Sequence, residues 1–231
     1  MAPKVLVVLT SYGLIESVGQ PTGWYLPEFA HPYEVLASKG VEVVTASPKG
    51  GVAPLDQSSV EAFKSDASSA SFLATKAALW EQTAPIASFL GRSAEFAALF
   101  YPGGHGPMFD LATDKESIAL INEFVAAGKP VAAVCHGPAV FVNVVLPSGK
   151  KLLEGKEATG FSDVEEDVVG MTAHMPFSLE AKIKAAGAIY KKASDAWAPL
   201  TLVQDGGKLI TGQNPGSSAG VGEALAKAIG V

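Results

Sequence analysis

Cys135 is the single cysteine of this 231-residue chain, and it stands in the run Val131-Ala-Ala-Val-Cys-His-Gly-Pro-Ala139. The small apolar residues from Pro130 to Val134 read as a strand covered on both faces, and Gly137 and Pro138 are residues that open a helix. The thiol is therefore expected at a sharp strand-to-helix bend. Backbone N–H groups and the positive end of a helix there would favour thiolate and lower its pKa. A free cysteine is also a common packing residue, so neighbours with matching chemistry must decide between the two readings.

Several such neighbours exist. His136 follows the thiol directly, and its near-neutral pKa suits a proton carrier. An imidazole in that role needs an orienting carboxylate, and Glu165 and Glu166 stand in Gly160-Phe-Ser-Asp-Val-Glu-Glu166 on a facing loop. A solvated acidic surface with Asp163 and Asp167 is the plainer reading of that pair. Gly103, Gly104 and Gly106 in Pro102-Gly-Gly-His-Gly106 allow close backbone approach and an oxyanion hole, with His105 as a pocket wall or a cap on a carbonyl. Glu28 opens an apolar helix, where it would suit the helix N-terminus. Buried beside Cys135, it would instead become a protonated acid that donates to sulfur. Metal chemistry is not expected: His31, His105, His136 and His174 show neither HxxxH nor HExxH spacing, and there is no second cysteine. His174 reads as a loop or pocket-wall residue.

These groups need a scaffold that gathers them. Short apolar strands alternate with segments of helical period, the pattern of a mostly parallel sheet with helices on both faces, an α/β sandwich. Strands are expected at residues 4–10, 41–46, 97–101, 131–134, 158–160, 201–204 and 208–211. Helices are expected at 28–39, 114–127 and 217–229, the first two stopped by Gly40 and Gly128. In such sheets ligands sit at the carboxyl ends of strands, where the loops bearing Glu28, His105, Cys135 and Glu166 would converge. Two segments exceed what the minimal fold needs. Residues 11–27 are expected to cover the site, and residues 50–94 to add a helical flap.

Composition narrows the function. Hydrophobic residues make up 48% and charged residues 17%, with a net charge of −6 and no basic cluster, which argues against nucleic acid as a partner. The length suits one domain spanning 1–231. A lone cysteine cannot form an internal disulfide, and no apolar run is long enough for a signal core or a membrane span, so a cytoplasmic setting is expected.

The chain resembles the ThiJ/PfpI superfamily, and within it the fungal heat-shock-type branch of glutathione-independent glyoxalases (glyoxalase III). Eight runs in order carry the likeness: Val7–Tyr12, Leu26-Pro-Glu28, His31-Pro32, Gly104-His-Gly106, Ala132–Ala139, Leu153-Glu-Gly-Lys156, Thr159–Val164 and Thr211-Gly-Gln-Asn-Pro215. The resemblance implies a flavodoxin-like sandwich with a Cys135–His136–Glu166 set and an acid at Glu28 touching the thiol. Glu166 is preferred to Glu165 by its place after Asp163-Val164. The substrate contacts are expected from Gly103, Gly104, His105 and Phe161. The implied reaction turns methylglyoxal and water into D-lactate, with no cofactor and no metal, in a homodimer.

Rival classes fit less well. A glutamine amidotransferase has a late His-x-Glu pair, whereas His174 is the last histidine and is followed by Met175 and Pro176. A cysteine peptidase would want a more open site than a lid over residues 11–27 allows. A stress-induced holding chaperone or thiol redox sensor, needing no catalysis, is the alternative from a different class.

Overall fold

The computed structural model describes residues 2–231. Its strands are β1 (Lys4–Val8), β2 (Leu14–Ile15), β3 (Gln20–Pro21), β4 (Glu42–Ser47), β5 (Ala84–Pro85), β6 (Ala98–Tyr101), β7 (Val131–Val134), β8 (Glu157–Ala158), β9 (Ile189–Tyr190), β10 (Thr201–Gln204) and β11 (Leu209–Gly212). The α-helices are α1 (Leu26–Ser38), α2 (Gln57–Ala62), α3 (Ala67–Thr75), α4 (Ala78–Glu81), α5 (Gly106–Phe109), α6 (Lys115–Ala126), α7 (Asp163–Val168), α8 (Leu179–Ala185) and α9 (Ser218–Ala228).

Seven strands form one sheet in the order β10-β11-β7-β6-β1-β4-β5. All neighbours are parallel except the edge pair β10 and β11. Every residue of β6 and β7 is buried, as the continuous apolar runs Ala98–Tyr101 and Val131–Val134 require of strands covered on both faces. From β1 the chain crosses through α1 to β4, and from β6 it crosses through α6 to β7 in the opposite direction along the sheet. With right-handed crossovers the two helices land on opposite faces. The order reverses between β1 and β6, so a crevice opens at their carboxyl ends.

Residues 50–94 hold the three short helices α2, α3 and α4, the first two capped by Asp56 and Asp66 side chains. An aromatic cluster ties them to α1: Trp24, Phe29, Phe72 and Trp80 pack with ring centroids 4.8–6.3 Å apart. Residues 11–27 form the β2–β3 hairpin and the approach to α1.

One expected strand differs. Of residues 158–160 only Ala158 is extended, in β8, which pairs with β9 in a separate two-stranded sheet. Beyond it the Thr159 N–H donates to the Thr211 hydroxyl and the Phe161 N–H to the Cys135 carbonyl. The backbone leaves strand geometry there to brace the bend that carries the thiol. Strand β5 and the hairpin, two residues per strand, are too short to show a period-2 pattern in the sequence.

Candidate active site

Cys135 follows β7 with φ of 60°, a left-handed conformation unusual for a residue with a side chain. Its N–H donates to the Gly212 carbonyl at 2.9 Å, which fixes the bend to the neighbouring strand. Gly137 makes the bend possible, since a Cβ there would lie 2.5 Å from the Tyr101 carbonyl oxygen. The helix expected after the bend is a short 3₁₀ turn, Gly137–Phe141.

The thiol lines a cavity of about 210 Å³ together with Glu28, Gly104, His105, His136 and Phe161. Gln20, Tyr25, Asp56 and Ser58 from the segments over the site also line it, Met171 is buried in its wall, and the exposed Val169 and Trp197 stand at its rim. His136 Nδ1 lies 3.4 Å from the Cys135 sulfur, and its Nε2 lies 2.7 Å from Glu166 Oε2. A carboxylate accepts only, so the proton of a neutral His136 sits on Nε2 and the free lone pair of Nδ1 faces the thiol. Burial holds the His136 pKa below its ordinary value even with Glu166 beside it. Burial alone would raise Glu166, yet His136 and the hydrogen bonds from both imidazoles hold its carboxyl well below the usual carboxylate range.

His105 supplies the second of those bonds, Nε2 to Glu166 Oε1 at 2.8 Å, and its ring centroid lies 4.4 Å from that of His136. Glu166 thus bridges two imidazoles. The ligand atoms of His105, His136 and Glu166 lie within 4.8 Å of one another, a spacing that could hold a metal ion and that no sequence pattern displays. All three are already hydrogen-bonded within the set, so an ion there would have to displace those bonds.

Glu28 is fully buried in the first turn of α1. Burial pushes its pKa up to about 8, against the opposing pull of Cys135 and of the Gly103 N–H. That N–H donates to Oε2 at 2.8 Å, while Oε1 is buried with no protein partner. At neutral pH Glu28 is therefore an acid whose proton belongs on Oε1. Burial, then the proximity of Glu28, also pushes the Cys135 thiol up, despite a Gly104 N–H directed at the sulfur. The expected low-pKa thiolate is thus corrected. The residue is only 4% exposed, and one 3₁₀ turn offers too little dipole to offset the loss of water.

Gly103 also differs from its expected part: its amide is engaged by Glu28, and it is Gly104, His105 and Phe161 that face the cavity. Gly104 has φ of 87°, and an added Cβ would meet the Gly23 carbonyl oxygen and lie 2.9 Å from the Tyr25 nitrogen. Gly104→Ala is expected to cost roughly 2–3 kcal/mol, or about 5–10 °C in a thermal melt followed by circular dichroism. An unchanged melt would show that the loop is not held in this form.

Glu165 and Glu166 are in the first turn of α7, not in a loop. One residue of helix turns the side chain by about 100°, so the two separate. Glu165 folds back into a capping box with Ser162 and accepts from Gln213 Nε2, Asn214 Nδ2 and the Trp197 N–H. Sequence reasoning missed this role, although Ser162-Asp-Val-Glu165 carries the capping-box signature. His174 lies away from the cavity, its Nδ1 3.1 Å from the Ser17 hydroxyl of the hairpin turn. His31 is hydrogen-bonded to Asp66 at 2.8 Å.

A cysteine at a strand-to-turn elbow, with imidazole and carboxylate in line at the carboxyl edge of a parallel sheet, defines the class: an α/β sandwich built around a candidate cysteine nucleophile. The DJ-1/PfpI family matches residues 23–228. Glyoxalase 3 of Candida albicans is 32% identical over 228 residues, 95% of each chain. Glutathione-independent glyoxalase HSP31 of Saccharomyces cerevisiae is 32% identical over 94% of each chain. Among solved structures, glyoxalase III of Candida albicans superposes with a TM-score of 0.84 at 29% identity, covering 98% of this chain and 97% of that one. Rapid Encystment Protein 24 KDa of Francisella tularensis gives 0.85 at 30% identity over 98% and 99%. This chain belongs to the DJ-1/PfpI family.

Proposed function

We propose that this protein is a glutathione-independent glyoxalase that converts methylglyoxal and water to D-lactate through a hemithioacetal on Cys135. The fully buried Glu28 that shares the cavity with the thiol, its Oε1 without a protein partner, is the observation that carries the reading. A peptidase or amidotransferase works with nucleophile, imidazole and carboxylate alone. Moving hydrogen between two adjacent carbons needs a further acid–base group in a dry site, and Glu28 supplies it.

In this reading His136 Nδ1 takes the thiol proton as sulfur adds to the aldehyde carbon, and Glu166 stabilises the imidazolium. The Gly104 and His136 amides hold the developing oxyanion, which then takes the proton back. Next the aldehyde carbon loses its hydrogen and the ketone oxygen gains one, giving an enediol. Glu28 Oε1–H donates to that oxygen, and the resulting carboxylate takes the hydrogen lost by the aldehyde carbon and passes it to the second carbon. It then accepts the proton of the first carbon's hydroxyl, which leaves a carbonyl there and restores the acid. The first carbon is oxidised to a thioester and the second reduced to an alcohol, so no external oxidant enters. Water then cleaves the thioester, releasing lactate and restoring the thiol.

The relatives named as glyoxalases support the substrate class, and the small cavity suits a 2-oxoaldehyde. A homodimer of single-domain chains in the cytoplasm completes the reading. Among the described residues no helix is long and apolar enough to cross a membrane. The test is a stereospecific D-lactate assay on purified protein given methylglyoxal in glutathione-free buffer. D-lactate is expected; its absence, or its dependence on added glutathione, would overturn the proposal.

A further inference from the structure

We infer that Trp197, packed on Phe161, is a specificity-determining residue that forms a subsite for the hydrocarbon substituent of the substrate and favours aryl over methyl. The inference rests on the glyoxalase reading for the reacting end of the substrate. The subsite itself stands on separate observations.

The first is volume. A dry cavity of about 150 Å³ is enough to take up benzene, so the roughly 210 Å³ here exceeds what a three-carbon aldehyde fills. The second is the distribution of chemistry. Glu28, Cys135, His136 and the Gly104 amide are available to the two carbonyl groups, whereas Phe161, Val169, Met171 and Trp197 add an apolar wall without any such task. Phe161 lies between the two regions, its ring 4.4 Å from His136 on one side and edge-on to Trp197 at 5.6 Å on the other. A substituent carried beyond the aldehyde would meet these rings.

The third is the state of Trp197 itself. It is 43% exposed, so core packing does not account for it. Its backbone has φ of 69°, a conformation that a bulky residue rarely adopts. The strain is sustained by a specific anchor, the Trp197 N–H donating to Glu165 Oε1 at 3.1 Å. Glu165 is in turn fixed by the Ser162, Gln213 and Asn214 side chains. A strained, half-open aromatic residue held by a buried carboxylate at a pocket rim is positioned for what enters the pocket.

The experiment compares methylglyoxal with phenylglyoxal in the wild type, Trp197→Gly and Trp197→Phe. Glycine accepts the positive φ and removes the ring, so folding is preserved, and circular dichroism checks it. The wild type is expected to favour phenylglyoxal in kcat/KM by about 10-fold, mainly through KM. Trp197→Gly should lose that preference, its phenylglyoxal kcat/KM falling about 10-fold further than its methylglyoxal kcat/KM, and Trp197→Phe should keep most of it. An unchanged ratio in Trp197→Gly overturns the inference.

Calorimetric binding of hydroxyacetone and 2-hydroxyacetophenone, which lack the aldehyde, reads the subsite without turnover. Tighter binding of the aryl ketone that disappears in Trp197→Gly supports the subsite even if no lactate forms, in which case only the glyoxalase reading falls. Equal binding of the two ketones by the wild type overturns the subsite even if the enzyme makes lactate.

Discussion

Cys135→Ser is expected to lower kcat/KM for lactate formation by roughly 10⁴-fold or more, while leaving the melting temperature nearly unchanged. The sulfur is the only atom within reach of His136 Nδ1, at 3.4 Å, that can form the hemithioacetal. A serine hydroxyl fills nearly the same space and keeps the Cys135 backbone bond to Gly212, but it is far less acidic and a poorer nucleophile. The site offers no cationic partner that would activate it, since burial keeps His136 neutral and Glu28 carries its own proton. Turnover of the serine variant within tenfold of the wild type would remove Cys135 from the reaction. Any holding-chaperone activity should survive this substitution, which separates the two functional classes in one preparation.

Glu28→Gln is expected to inactivate and stabilise at once. The amide keeps a hydrogen-bond acceptor for the Gly103 N–H and fits the same space, but it cannot shuttle a proton, so a fall in kcat of about 10²–10⁴-fold is expected. The stability effect follows from linkage. Burial raises the carboxyl in the folded state to about 8 from an ordinary value of 4.5. A raised pKa means that folding holds a proton the unfolded chain would release. The contribution of Glu28 to stability is therefore greatest below pH 4.5, declines as pH rises, and levels off above pH 8. At pH 7 the cost of keeping Glu28 protonated is about 3 kcal/mol, an upper figure for what glutamine would return. Denaturant melts at pH 5 and pH 8 check this: the variant should gain on the wild type at pH 8 and much less at pH 5. The wild-type kcat should also fall as pH passes about 8. An equal effect at both pH values, or full activity in the variant, would show that Glu28 is not the buried acid described.

Those two residues also show why part of the site is readable along the chain and part is not. The bend at Cys135 is local: a buried strand, a thiol, a histidine and Gly137-Pro138 are adjacent, and only a glycine fits at 137 against the Tyr101 carbonyl. The environment of that thiol is not local. Adjacency to a turn suggests a thiolate, whereas Glu28 and the covering segments remove water and push the thiol up. Glu165 and Glu166 are equivalent as letters. Ser162 capping α7 sends the first into a structural knot with Gln213 and Asn214, and the next step of the helix sends the second to His136 and His105.

The sequence by itself determined the alternation of strands and helices, the strand-to-turn position of Cys135 and the family to which the chain belongs. All of these rest on patterns within a few residues, where burial on one face or both imposes its period and a turn its glycine. Only the tertiary structure decided that Glu166 bridges two imidazoles and that Glu28 keeps its proton. It likewise decided that the Gly103 amide holds Glu28, and that Trp197 closes an apolar wall. Each of these depends on groups 30 to 75 residues apart along the chain brought within hydrogen-bond reach, most of them shielded from solvent. Desolvation and mutual orientation set a proton's place there, and neither is written in the spacing of residues.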